Sequence, residues 1–270
     1  MLTADATLGA VRRVPLDRSG GRWAALREPA GLDEEGVGSR GSLDAIRLLD
    51  RLLVQEPGAA VQPGDAEALT LPERDLLLAA AWRMAAGPRV VDTLTCAACG
   101  SPFDLDFSLD DLVEQVRLAT GELPADQGVY QLPGGVRFRL PTGADERAVL
   151  GLPEDQAERA LLARCIVEGD PDIDGPAAVA AMERVGSGVD VEFDAACPEC
   201  GHAHAVRFQM QDYLLGAMAA EWGGLVDDVH RIALAYRWSL HEILSLPRAR
   251  RRAFVALLDG DPVPRARTWR

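Results

Sequence analysis

Apolar residues are sparse and aperiodic through the first 42 positions, and only then fall into register. From Ser42, read as an N-cap, Leu43, Ile46, Leu49, Leu52 and Leu53 share one helical face. Pro57-Gly58 and Pro63-Gly64 mark a loop. Leu71-Pro72-Glu73-Arg74-Asp75 then opens a second helix, which runs through Leu76 to Trp82 until Gly87-Pro88 stops it. Next the period changes to two. Val90, Val91 and Leu94 lead into a turn, and Phe103, Leu105 and Phe107 lead out of it, alternating with Asp104 and Asp106. That alternation predicts a half-buried hairpin, followed by a short helix over 109–113 capped by Ser108.

The middle of the chain repeats these themes. Val129–Leu132 and Val136–Leu140 flank Pro133-Gly134-Gly135, a strong hairpin signal. Helices are predicted over 154–167 and 177–186, with a strand around Val189, Val191 and Phe193. Cys165 falls on the apolar stripe of the first of these helices and reads as core. The acidic stretch 169–176 between them is expected to be a solvated loop, because it lacks the spacing and terminal Glu of a calcium loop. Met210, Leu214, Met218, Trp222, Leu225, Val229, Ile232 and Tyr236 then recur every three or four residues, a stripe that as one helix would run about 40 Å. Gly223-Gly224 predicts a kink or break in it. Ser239 with Glu242 forms a capping box for the next helix, and Pro247 opens a last one in which Phe254, Leu257 and Leu258 can pack back.

The expected fold class is therefore α+β, with clipped β-hairpins packed among helices and a helical C-terminal lobe. Residues 1–42 are expected to be a poorly ordered extension, 43–262 the folded domain (43–120 and 121–208 as two related units, 209–262 as the helical lobe), and 263–270 a tail.

The chemistry of the chain is concentrated in two turns, Cys96-Ala-Ala-Cys99-Gly100 and Cys197-Pro-Glu-Cys200-Gly201. Aligning Cys96 with Cys197 also places Phe107 on Phe208, Leu109 on Met210, Asp111 on Asp212 and Val113 on Leu214, so one unit is used twice. Each C-x-x-C-Gly turn lets two thiolates converge on a cation, and two such turns supply the four sulfurs that structural zinc prefers. Three competing readings are a redox dithiol, a degenerate site that keeps its cysteines without the metal, and a catalytic zinc. Redox motifs stand singly near a helix start, whereas each turn here precedes a strand-like run. A catalytic zinc needs an open position and a general base, and His202 and His204 do not create the H-x-E pattern of zinc deaminases. Both histidines read as strand residues rather than ligands.

Composition narrows the partners. The chain has 270 residues, 48% of them hydrophobic, with a net charge of −14 and a pI near 4.7, which argues against a general nucleic-acid binder. Its 28 basic residues are all arginine. With no stretch of about 20 apolar residues and no apolar signal core, a cytoplasmic location is expected, one that also keeps thiols reduced. The run Arg248, Arg250, Arg251, Arg252 is either a solvated helix face or a docking surface for an acidic partner. Trp222, Tyr236 and Trp238 are either internal core or, with Arg248, Arg251 and Arg252, a grip on a protein partner.

Three stretches together resemble one family: Arg137–Gly143, the first knuckle with its following Phe103–Leu112 segment, and Val229–Pro247 with its Trp-Ser to Leu-Pro course. They are similar to the T4-type phage baseplate hub assembly chaperone family, versions of which occur in contractile injection systems. The resemblance spans roughly 43–260. It implies a non-enzymatic helper or component in building the baseplate of a contractile tail, with baseplate or hub proteins as partners and no small-molecule substrate. The zinc is read from the cysteines, not from the family. Two rival classes stay open: a zinc-ribbon nucleic-acid-binding or regulatory protein, and a thiol or zinc enzyme. Asp104, Asp106, Asp110 and Asp111 beside the first knuckle weigh against the former.

Overall fold

The computed structural model describes residues 11–17, 21–35, 38–119, 123, 125–126 and 128–260. The fold is α+β, built of small antiparallel sheets among helices. Its first elements correct the expectation for 1–42. Strands β1 (Val11–Pro15) and β2 (Trp23–Arg27) pair antiparallel, and helix α1 (Gly31–Glu35) follows. Val14, Leu16, Ala24 and Leu26 belong to the main core, and β2 is bridged to Leu53 and Val61. Two alternating apolar positions on each arm suffice to bury a short hairpin when neighbours cover it, and are too few to register as a period. Residues 1–10 and 263–270, placed in the extension and the tail, lie outside the described residues.

Helix α2 (Ser42–Leu52) has Gly41 and not Ser42 as its N-cap, and buries Ile46, Leu49 and Leu52 as predicted, together with Ala45 and Leu48. Helix α3 (Leu71–Ala86) is opened by a capping box in which Glu73 reaches back to the Thr70 backbone N–H at 2.9 Å. It is followed by β3 (Arg89–Thr95), β4 (Pro102–Ser108) and α4 (Leu109–Ala119), and Ser108 accepts the Asp111 N–H at 3.2 Å. The helix of 109–113 is thus twice as long as predicted.

The middle segment forms a four-stranded antiparallel sheet, β5 (Ala125–Asp126), β6 (Val129–Gln131), β7 (Arg137–Arg139) and β8 (Ile166–Glu168). Between β7 and β8 lie α5 (Gly143–Val149) and α6 (Glu154–Cys165), so the helix predicted over 154–167 gives its last residues to a strand. Phe138, Leu140 and Leu132 make a second core with Ala181 and Val185 of α7 (Pro171–Val185). Helix α7 begins inside the expected acidic loop. Asp170 caps it by accepting the Asp172 N–H at 2.9 Å, and Pro171 sits where its missing N–H is harmless.

Beyond α7 come β9 (Asp190–Ala196), β10 (Ala203–Gln209) and α8 (Met210–Ala220). Arg89 corresponds to Asp190 and Ala119 to Ala220, a constant offset of 101 residues that relates both bounds of β3, β4 and α4 to those of β9, β10 and α8. Even the cross-strand ion pair is repeated, with its charges exchanged: Arg89 to Asp106 in one hairpin, Arg207 to Asp190 in the other. The duplication read in the sequence is therefore a duplication of structure.

The long apolar stripe breaks at Glu221, two residues before the glycine pair, into α8 and α9 (Trp222–Tyr236). Leu214, Leu215 and Met218 of α8 face the main core, whereas α9 turns away to pack with α10 (Leu240–Leu244) and α11 (Arg248–Asp259). The capping box of Ser239 and Glu242 is present. Among the described residues no helix is long and apolar enough to cross a membrane.

Candidate metal centre

The two knuckles are built alike from the backbone outward. Cys96 N–H bonds the Ser101 carbonyl at 2.9 Å and Gly100 N–H the Cys96 carbonyl at 2.8 Å. The second knuckle has the same bonds, from Cys197 to His202 at 2.9 Å and from Gly201 to Cys197 at 2.8 Å. Gly100 and Gly201 take φ of 75° and 74°, the left-handed geometry that a side chain would strain. This turn aims both sulfurs of a knuckle to the same side.

The hairpins carry the knuckles together although 101 residues separate them. Phe107 meets Phe193 and Phe208 with ring centroids 4.9 and 5.0 Å apart, fastening the two hairpins at their helix ends. At the knuckle ends Leu94, Phe103 and Ala195 pack around Cys96 and Cys197. The sulfurs of Cys96, Cys99, Cys197 and Cys200 all lie within 4.8 Å of one another. Cys96 to Cys200 and Cys99 to Cys197 are both 3.7 Å. A disulfide needs about 2.05 Å, whereas a tetrahedron with metal–sulfur bonds of about 2.3 Å has edges of about 3.8 Å. All four cysteines predicted as ligands are therefore brought together in a tetrahedral-like arrangement that fits a metal ion.

The electrostatics point the same way. Hydrogen bonds from the side chain and then the backbone of Ser101 lower the Cys99 thiol to about 6. At Cys200 the His202 backbone favours the thiolate, but the sulfurs of Cys99, Cys96 and Cys197 oppose it and push the thiol up to about 12. Four thiols crowded on one point cannot all ionise without a cation among them. Cys96 and Cys197 are buried and Cys99 and Cys200 exposed, so one sulfur of each knuckle faces water. Cys165 is buried away from this cluster in α6, where burial pushes its thiol up to about 11, as its reading as core requires.

No family model, curated protein or solved structure matches this chain.

The predicted partner-binding residues separate into two groups. Trp222 is 44% exposed, and Tyr236 and Trp238 are half-buried in an aromatic cluster with Phe254, at 5.4 to 5.6 Å from Tyr236 and 4.9 Å between Trp238 and Phe254. Arg252 is exposed and reaches Glu221 at 2.8 Å. Arg248 and Arg251 are not available to a partner, which corrects the reading of the arginine run as a docking surface. Arg251 is 1% exposed and holds both carboxylate oxygens of Glu34 at 2.8 and 2.9 Å, and Arg248 lies beside the same carboxylate at 3.6 Å. The helix starting at Pro247 turns one face of the run inward, onto α1. The run gives no sign of this, because its counter-charge stands more than two hundred residues away.

Sequence reasoning also missed two polar groups of the interior. Arg74 and Asp75 are buried in α3. Arg74 pairs with Glu146 at 2.6 Å, and Asp75 accepts the Val189 N–H at 2.7 Å just before the second hairpin. Their position beside the apolar run Leu76–Leu78 was the only available signal.

Proposed function

We propose that this chain is a non-enzymatic assembly factor or component of the baseplate of a contractile phage tail or phage-tail-like injection system, cytoplasmic and held together by a structural zinc ion. The metal reading rests on the four converging sulfurs. Four thiolates with no open position suit zinc, which would be held by Cys96, Cys99, Cys197 and Cys200 and would supply a rigid cross-link between two hairpins rather than a reaction.

The partner reading rests on the exposed apolar face of the C-terminal lobe. Trp222, Val226 and Leu234 on α9 and Leu240 at the start of α10 are 44, 50, 69 and 58% exposed. Trp222, Val226 and Leu234 follow one another at four- and eight-residue intervals, along a stripe that winds about a third of a turn round the helix. Apolar side chains so aligned mark a protein-binding surface, and Tyr236, Trp238 and Arg252 stand beside or behind it. This lobe carries the Val229–Pro247 segment, one of the stretches of the family resemblance and distinctive in combination with the two knuckles. The nucleic-acid alternative finds less support, since the hairpins present Asp92, Asp104, Asp106, Asp194 and Glu192 around the knuckles.

Affinity purification of the tagged protein from its native host, with metal analysis of the same eluate, tests both parts. The expected result is baseplate or hub subunits with about one zinc per chain, and capture that is lost in Leu234→Asp at unchanged melting temperature. Recovery of nucleic acid in place of tail proteins overturns the assembly role and leaves the zinc standing.

A further inference from the structure

The two halves of the metal centre differ at one position that matters to the sulfurs. At the 101-residue offset His204 corresponds to Phe103, and the two rings touch with centroids 5.2 Å apart. His204 Nε2 lies 3.4 Å from Sγ of Cys96. The matching position beside Cys197 is the phenyl ring of Phe103, which has no donor.

We propose that His204 is a positioning residue of the metal centre, donating its Nε2–H to the Cys96 thiolate. This rests on the zinc reading above. Four thiolates around a divalent cation leave a net charge of −2, and that excess sits on the sulfurs. Cys99 and Cys200 are exposed and can pass theirs to water. Cys96 is 1% exposed and can pass it only to the protein. A metal-bound thiolate carries no proton, so the imidazole must be the donor, through its Nε2–H.

The ring is also held in place for this role. It is half-buried between Phe103 and His202, with the His202 centroid 4.8 Å away and nearly perpendicular. Across the ladder it stands opposite Ala195, where the first hairpin has Leu94 opposite Phe103. The smaller alanine leaves the imidazole room to lean toward the sulfur. Donors of this kind fix the orientation of a ligand and raise the affinity of the site, and their loss typically costs about 10–100-fold in metal affinity. The first half of the duplicated unit thus contributes an apolar lid and the second a polar one.

The test is zinc affinity by competition with a chromophoric chelator, and the absorption spectrum of the cobalt(II)-substituted full chain, for wild type, His204→Phe and His204→Gln. His204→Phe repeats the ring already present in the first half and keeps the packing. It is expected to bind one metal with affinity lowered about 10–100-fold and a shifted thiolate-to-cobalt band, while His204→Gln, which retains an N–H, recovers most of both. Unchanged affinity and spectrum in His204→Phe would reduce His204 to a packing residue and overturn the proposal. So would tight metal binding by a Cys96→Ser variant that His204→Phe then abolishes, since His204 would be a ligand. A His204→Phe chain that fails to fold hands the decision to His204→Gln, where wild-type affinity and spectrum support the donor and a tenfold loss overturns it. Absence of metal binding by wild type is a different failure, that of the zinc reading itself, and is seen before any variant is made.

Discussion

The sulfurs of Cys96 and Cys197 are nearly closed off from water, so each is stable as a thiolate only with a cation beside it. Replacing either by serine removes a buried sulfur from the proposed metal centre, and with it the constraint that would join the two hairpins. Because metal binding is coupled to folding, loss of about 4 kcal/mol of that coupling lowers the melting temperature of a chain this size by about 10 °C. Differential scanning calorimetry of both variants checks this, and an unchanged midpoint in each would mean that the hairpins stand on Phe107, Phe193 and Phe208 alone. Asp75 gives a second prediction. Burial, the largest influence, outweighs the Val189 N–H and Arg74 and raises its carboxyl from 3.8 to about 6. Between about pH 4 and pH 6 the folded state therefore holds a proton that the unfolded state has lost, so this group makes stability fall as pH rises through that window. The penalty at pH 7 is about 3 kcal/mol. Asp75→Asn keeps an acceptor for the Val189 N–H, so it is expected to be more stable than wild type at pH 7 and equal to it near pH 4, in urea titrations at the two pH values. At this scale the four ligands were legible because C-x-x-C-Gly is a local pattern. Asp75 was not, since burial is set by what the rest of the chain lays over it.

Elements were legible wherever a period was long or a cap was local. Helix α2, the start of α3, both knuckle hairpins and the Ser239 cap follow from spacing within a few residues. Strand β8 and the first turns of α7 were missed because Ile166–Glu168 pairs with β7 only after two helices have brought it back, and because the aspartates of 170–174 resemble a loop until one is seen as a cap. The break in the long stripe shows how a local signal and a tertiary one combine. Glu221, not the glycine pair, is the corner, and it receives Arg252 at 2.8 Å and Arg248 at 3.5 Å. Gly223 and Gly224 lie in the first turn of α9. A Cβ at Gly223 would meet nothing within 4 Å, and one at Gly224 only Glu221 Oε2 at 4.0 Å. Neither has a positive φ. Gly223→Ala and Gly224→Ala should therefore each stabilise the protein by about 0.4–1 kcal/mol, chiefly by restricting the unfolded chain. Guanidinium unfolding of the single and double variants measures this, and a loss of stability would show that the corner needs glycine freedom.

At the scale of the molecule, the two ends of the described chain are tied by charge. Gly31 opens α1 where an added Cβ would stand 2.9 Å from Arg251 Nη1 and 3.0 Å from Leu244, so only glycine admits this approach of α1 to the C-terminal lobe. Its N–H reaches the Leu246 carbonyl at 3.3 Å, and Arg251 Nη1 reaches the same carbonyl at 2.7 Å. Glu34 and Arg251 then pair inside, 5 and 1% exposed. No sequence window contains both partners, which is why residues 11–35 looked like an extension and Arg251 like a surface grip. Arg251→Met leaves Glu34 with Arg248 alone, at 3.6 Å, and takes the guanidinium from Asp228 at 3.9 Å, so it is expected to cost about 3 kcal/mol, the lower end for a broken buried pair. Replacing both, as Glu34→Gln with Arg251→Met, removes the charge left at Glu34 and should recover part of the loss, with Arg248 still facing Glu221 and Asp228 lacking Arg251. The comparison also separates stability from partner binding. If the pair only joins the N-terminal segment to the lobe, the double variant still captures the proposed partner as wild type does. Loss of capture in a double variant of normal melting temperature would instead place α1 and its charge pair in the partner interface.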